Sequence, residues 1–520
     1  MRGQRTGIHE GTRTGFIEKL DDWIENPAGK SRLFWVHGGA GVGKSAIAQS
    51  ICEKHAGRRL AASHFFSRND NSRNSLDCFI PTLAYQLAES HGPDSPLTSG
   101  INNVLTTNPR IMDMNWEDQF ERLICVPCAV VNPELWTSLP SLVIIDGLDE
   151  CMDRHPQTND INQKPGEREG QQILLSMIQN ATSNQPSLPL RFLIFSRPER
   201  AISTFFRSLP FNPALEQFDM RELRAEAEAD IELYLRHKLA CLIELHPDAG
   251  LDKLWPGEEA IHKLILNADG HFIYIVTIVK YIGGDDPYLF LPQQRLAVVL
   301  RTSETSLYPD LSTLDQLYHH ILQPFMGVRK QILLPILQLI VSPHQDPVDS
   351  PTFSQHSGPR CRSQHAIAKL LMLDLSQVSA IISRLRSILH VPNNDDQEDV
   401  TVLHASFSDF LTEERRSLHF YIAPLKDRVY FGMLSQCLLS TLNNMTRRHD
   451  AGKGMPPGLT TFEFYSIDVW RLVGVVFDVV DSRYHGISAE EYIPSKQLIH
   501  AINEFNVYHY VNMLVDRYAS

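Results

Sequence analysis

The stretch Gly38-Gly39-Ala40-Gly41-Val42-Gly43-Lys44-Ser45 constrains this chain more than any other. A loop that turns around a polyphosphate needs a glycine five residues before the glycine of Gly-Lys-Ser, and Gly38 stands in that place before Gly43. The loop follows the apolar run Leu33-Phe34-Trp35-Val36. It opens into Ala46-Ile47-Ala48-Gln49-Ser50-Ile51, whose spaced apolar residues predict a helix packed on a sheet. A helix N-terminus then faces the loop, and its free N–H groups and positive dipole end favour phosphate. In such a loop Lys44 is expected to bridge the β and γ phosphates and Ser45 to offer a hydroxyl to Mg²⁺, with Gly38 through Ala46 as the nucleotide-binding stretch. An upstream Gly29-Lys30-Ser31 has Ile24 where the first glycine should be and precedes the apolar run, so it reads as a polar turn.

Around this unit, short runs rich in β-branched and aromatic residues (Leu33 to Val36, Ala61 to Phe66, Leu142 to Ile145, Phe192 to Phe195) alternate with helical patterns such as Pro81 to Glu89 and Trp116 to Ile124. The alternation predicts an α/β domain with a parallel sheet and helices on both faces. In such sheets ligands bind at the carboxyl ends of the strands, so the residues following each run matter. Leu142-Val143-Ile144-Ile145 delivers Asp146 to that edge as the second Mg²⁺ ligand beside Ser45. The next position, where a water-activating glutamate would stand, is Gly147, which leaves Asp149 or Glu150 as the base and predicts slow turnover. Phe195-Ser196-Arg197 brings a guanidinium to the same edge, where it can sense or neutralise a γ phosphate.

Gly38 to Ser45, the box Asp146-Gly147-Leu148-Asp149-Glu150, and Phe195-Ser196-Arg197-Pro198 together resemble the NACHT family, most closely the fungal NLR-like proteins of the STAND class of nucleotide switches, with a nephrocystin-like N-terminal domain. Gly11-Thr12-Arg13, Ser63-His64-Phe65-Phe66-Ser67-Arg68, Phe79 to Leu87 and Gly270-His271-Phe272-Ile273-Tyr274 extend the likeness, which spans about residues 8 to 425. By its own surroundings His404 reads as a core or strand-end histidine. The family, however, carries a winged-helix histidine that contacts the β phosphate of ADP and locks the closed state, and Leu403-His404-Ala405-Ser406-Phe407 matches that motif. The resemblance thus implies a switch of ATP for ADP (GTP is an alternative), slow hydrolysis, and opening into protein contacts and self-association. Members usually carry an effector domain before the module and repeats after it, whereas this sequence begins almost at the module and shows no repeat period.

A length of 520 residues predicts ~3 to 4 compact units. The patterns divide them as a helical lead-in over 1–30, the P-loop sheet domain over 31–220, a helical bundle over 221–305, a winged-helix domain over 306–424 and a C-terminal helical region over 425–520. The winged helix is expected from helices over 365–373 and 376–389 and a two-stranded wing ending at His404. Stretches 152–170 and 343–362 read as exposed loops. A formal net charge of −13 gives no general reason to bind nucleic acid or an anionic membrane, and Asn393 to Asp399 would repel phosphates from the wing. Eight scattered cysteines fit a reducing compartment. Cys125 and Cys128 have no second pair at zinc spacing and read as half-buried thiols. With no signal-like or bilayer-length apolar run, the expected location is the cytoplasm. An ordinary P-loop NTPase or kinase, and a winged-helix DNA-binding regulator, are the competing readings.

Overall fold

The computed structural model describes residues 7–423 apart from 27–30, 69, 71, 152–168, 184–187, 209–214, 248–249, 285–290, 303–309, 342–361, 372 and 393–397. Nearly all of the two expected loops, and the expected helical region 425–520, lie outside the described residues. The chain divides into two compact units, residues 1–317 and 318–520.

The first unit begins with helix α1 (Thr14–Glu25), then β1 (Leu33–His37), α2 (Lys44–His55), β2 (Leu60–Phe65), α3 (Leu76–His91), α4 (Pro96–Thr107), α5 (Trp116–Phe120), α6 (Val126–Val130) and β3 (Leu142–Asp146). There follow α7 (Glu169–Ser183), β4 (Arg191–Ser196), α8 (Arg200–Arg207) and β5 (Leu215–Asp219). The five strands form one parallel sheet in the order β2-β3-β4-β1-β5. Because successive side chains of a strand point to opposite faces, each buried strand feeds two cores. Leu33, Trp35, Val143, Ile145, Phe192 and Ile194 meet Phe79, Leu83 and Leu174 on one face. Phe34, Val36, Ile144, Leu193 and Phe195 meet Phe16, Leu20, Ile47 and Ile51 on the other. Full burial of each such side chain contributes about 1.5–3 kcal/mol, enough to fix the strand register. The lead-in helix α1 therefore shares the core of the sheet. Cys125 and Cys128 are fully buried rather than half-buried, and burial pushes both thiols up, Cys128 to about 12.

Four strands fall where the apolar runs predict them. Strand β5 was not expected: its sequence Leu-Glu-Gln-Phe-Asp exposes Glu216 and Gln217, and it pairs only with β1. Helix α3 begins five residues before Pro81, which it accommodates within its length. The unit continues through α9 (Arg224–Leu245), α10 (Glu258–Ala268), α11 (Phe272–Ile282) and α12 (Pro292–Thr302), the helices that the polar-apolar pattern from 222 to 301 implies.

The second unit begins within α13 (Thr313–Leu322) and contains α14 (Lys330–Val341), α15 (Gln364–Leu371), α16 (Leu375–Arg384), strands β6 (Leu389–His390) and β7 (Thr401–Val402), α17 (Ala405–Thr412) and α18 (Glu414–Ser417). The strands pair antiparallel, Leu389 opposite Val402. The helix expected to run to 389 ends at Arg384; a turn then carries Leu389 into β6, where it is buried. Tyr318, Phe407 and Phe410 centre this core, with ring centroids 5.1 Å apart for Tyr318–Phe407 and 5.2 Å for Tyr318–Phe410. Among the described residues no helix is long and apolar enough to cross a membrane.

Candidate functional site

Strand β1 ends at His37, and the Gly38 N–H extends its ladder to the Ser196 carbonyl at the end of β4 (3.4 Å). The glycines that follow serve different ends. A side chain at Gly38 would stand 2.8 Å from Met220 Cβ, so this glycine lets the loop leave the sheet. Gly41 (φ 79°) and Gly43 (φ 95°) hold left-handed turns, and Gly43 caps α2. Lys44, the first residue of α2, folds back so that Nζ donates to the Gly38 and Gly39 carbonyls at 2.8 and 2.7 Å. Ser45, next in the same turn, is exposed, and Ala46 is half-buried.

At the neighbouring strand ends, Asp146 closes β3 with 1% of its surface exposed. Its carbonyl accepts the Phe66 N–H at 2.8 Å, and the Gly147 N–H donates to Phe195 at 2.9 Å, so the turn is tied to both flanking strands. Gly147 has φ 72°, and a Cβ there would lie 3.1 Å from the Phe66 carbonyl oxygen. Any side chain at this position, a glutamate included, would meet that oxygen and a left-handed backbone angle.

Asp149 is buried, and its carboxylate takes both the Arg197 N–H (2.9 Å) and the Arg197 Nε (3.2 Å). Glu150 accepts the Arg68 N–H at 3.1 Å. Gln171 of α7 donates to the Asp149 carbonyl at 3.3 Å and so braces the box from behind.

The electrostatics show that these groups share one place. Lys44 is partly open at the loop mouth yet surrounded by protein, and this burial lowers it to about 8; Asp149, Asp146 and Glu150 pull it back up, and Arg197 pushes it down further. The strand order explains the convergence, because β4 lies between β1 and β3 and sets Arg197 between the loop and Asp146. Gly38 to Ala46, Asp146, Asp149, Glu150 and Arg197 are therefore brought together at one edge of the sheet.

His404 belongs to the second unit, where it caps α17. Its Nδ1 accepts the Ser406 N–H at 3.1 Å and lies 2.7 Å from Ser406 Oγ, which is 2.8 Å from the Tyr318 hydroxyl. A ring nitrogen that accepts from a backbone N–H carries no proton, so the neutral ring is protonated on Nε2.

Several residues around the loop carry no local sign of their role. Arg13, 4% exposed and in a left-handed turn (φ 55°), donates from Nη2 to the Val42 carbonyl and from Nη1 to Leu223, both at 3.3 Å. Asp230 of α9 accepts the Arg13 N–H at 3.0 Å and faces its Nε at 3.5 Å. His271 donates from Nδ1 to Ala40 at 3.1 Å, and the Ile273 N–H donates to Gly41 at 3.4 Å. Gly11-Thr12-Arg13 and Gly270 to Tyr274 are legible as family motifs, but their meeting at the loop joins segments far apart in sequence.

The family described as Nephrocystin 3, N-terminal, matches residues 11–197, from the segment holding Arg13 to Arg197 itself. No curated protein matches the chain. Among solved structures, the ORC2 protein of Aeropyrum pernix, described in its ADPNP-ADP complexes, is 14% identical and aligns over 77% of this chain and 92% of its own, with a TM-score of 0.32. That overlap is too loose to locate a site. The parallel sheet, the glycine loop and the strand-end carboxylates make residues 1–317 a P-loop NTPase-like α/β unit, similar over residues 11–197 to the nephrocystin 3 N-terminal family.

Proposed function

We propose that this chain is a nucleotide-operated switch of the STAND type, binding ATP or ADP at the Gly38–Ala46 loop and hydrolysing slowly. The observation that carries the nucleotide reading is the surround of Lys44: an ammonium at a glycine-loop mouth, with three carboxylates and one guanidinium acting on its proton. Such a constellation is expected of a phosphate site, where the cation must be drawn from solvent yet kept near its anion.

The donor set fits Mg²⁺, since the exposed Ser45 hydroxyl and the buried Asp146 carboxylate come from two elements that converge on this edge. When bound there, the ion would neutralise phosphate charge, with Ser45 and Asp146 as its protein ligands. Asp149 is engaged by Arg197 through two contacts and is suited to hold that guanidinium toward a γ phosphate. Glu150 is then the better candidate to orient water, steadied by the Arg68 N–H. Without a carboxylate at position 147, turnover below about 1 s⁻¹ is expected, slower than the usual kinase range.

His404, protonated on Nε2, is suited to donate to a β-phosphate oxygen in the ADP state. Its release on exchange would free the chain for protein contacts and self-association, as cytoplasmic members of the NACHT family do; nucleic acid and membrane are not expected partners.

The test is mass spectrometry of the nucleotide that co-purifies, followed by ADP titration. Lys44→Ala should lose roughly 10- to 100-fold in affinity, the range expected for a charged hydrogen bond. His404→Ala should lose ADP selectively and self-associate more readily with ATP. Absence of any bound nucleotide, together with equal titrations of wild type and Lys44→Ala, would overturn the reading.

A further inference from the structure

A loop that presents its N–H groups to an anion turns the carbonyls of the same peptides outward, and whatever holds those carbonyls resists a peptide flip. Here five consecutive carbonyls meet donors: Gly38 and Gly39 from Lys44, Ala40 from His271, Gly41 from the Ile273 N–H and Val42 from Arg13. The first two donors share one ammonium on the loop's own helix. The other three come from outside, from the lead-in and the start of α11.

These external donors form a single assembly. Arg13 is bound to Asp230 of α9 and to Leu223, and its guanidinium lies 5.7 Å from the ring centroid of Phe272, between His271 and Ile273. Gly41 lets Ile273 settle on the loop, because a Cβ there would overlap Ile273 Cγ2. Burial outweighs the attraction of the ion pair: Arg13 is lowered despite Asp230, and Asp230 is raised despite Arg13.

The Lys44 ammonium has three N–H donors, two of them on Gly38 and Gly39, so a phosphate can take the third or compete for the other two. The outer carbonyls at 40, 41 and 42 take their donors from outside the loop and its helix, so these contacts do not compete with the phosphate for Lys44. We propose that Arg13 and His271 are positioning residues for phosphate binding, a clamp on the outer carbonyls of the glycine loop through which helices α9 and α11 set its affinity. The inference rests on the nucleotide reading above and adds how the helical segment is coupled to it. Coupling of this kind is reciprocal, so a filled loop in turn steadies the start of α11.

The test uses the full-length chain and ADP, titrated calorimetrically against wild type, His271→Leu, His271→Asn and Arg13→Lys, with a thermal melt of each without ligand. His271→Leu removes the donor and keeps the bulk; Asn restores an N–H near the position of Nδ1. The clamp predicts that Leu weakens ADP binding roughly 3- to 10-fold, as loss of one net hydrogen bond implies, with the melt unchanged. Asn should recover most of that loss. Arg13→Lys, which cannot reach Val42, Leu223 and Asp230 together, should weaken binding at least as much. Wild-type affinity in His271→Leu overturns the clamp, as does a loss that follows the melting temperature and is not recovered by Asn. If wild type itself binds no ADP, the nucleotide reading falls first and the clamp with it, an outcome distinct from equal binding by wild type and variants.

Discussion

Burial lowers the Lys44 ammonium to about 8 while Asp149, Asp146 and Glu150 oppose the shift, well below the ordinary lysine value. A phosphate beside it favours the charged form and raises its pKa, so binding must take up a proton wherever free Lys44 has lost one. Phosphate affinity should be highest below pH 8 and fall by up to about tenfold per pH unit above it. Titrations at pH 8.5 in buffers of different ionisation enthalpy would register the uptake, and identical heats across buffers would count against it. The glycines were legible as a pattern, but not for their separate tasks. Gly41→Ala is expected to damage the loop twice, through φ 79° and through the collision with Ile273, and to weaken ADP binding more than Gly39→Ala, whose Cβ would meet open space.

At the scale of elements, the inner strands β1, β3 and β4 announce themselves because both their faces are apolar, as sheets covered by helices require, while the edge strand β2 is marked by Ala61, Ala62 and Phe65-Phe66. Strand β5, at the opposite edge, is invisible in that code because two adjacent polar residues, Glu216 and Gln217, break its apolar pattern and are exposed. Helix α16 ends at Arg384 although apolar residues continue past it, since periodicity alone does not distinguish a buried turn and strand from more helix. Strand β2 carries an element-level liability. His64 lies in the core, 4.5 Å from Phe66 and 5.3 Å from Phe79 between ring centroids, and burial lowers it to about 4 against an unfolded value of 6.5. A depressed pKa contributes stability that is complete above 6.5 and is lost as pH falls through 4, because the unfolded chain takes up the proton first. Acid should therefore remove on the order of 3 kcal/mol from the sheet over that window. In urea melts between pH 7 and 4, His64→Leu should show a flatter dependence; an unchanged slope would place the acid sensitivity elsewhere.

For the whole molecule, the division at residue 317 separates the P-loop unit from the unit holding His404. Ligand at 100 times its dissociation constant stabilises the fold it binds by about 2.7 kcal/mol. In a melt of the full chain, ADP should raise the transition of the first unit whether or not His404 takes part. The second transition should rise with it only if His404 also meets the ligand, and His404→Ala should then uncouple the two. Long-range joins of this kind are what the sequence least reveals. Asp146, Gly147 and Arg197 could be read from strand ends, whereas the meeting of Arg13, His271 and Val42 follows from folding three distant segments onto one loop. The turn at Gly147 has a consequence for what this chain can become. Replacing that glycine with glutamate meets the Phe66 carbonyl at 3.1 Å and a backbone angle of 72°, with the turn tied to β2 on one side and β4 on the other. Any side chain at this position therefore has to push the Phe66 carbonyl aside by a few tenths of an ångström and hold a left-handed backbone angle, a cost set by the turn and not by which side chain is chosen.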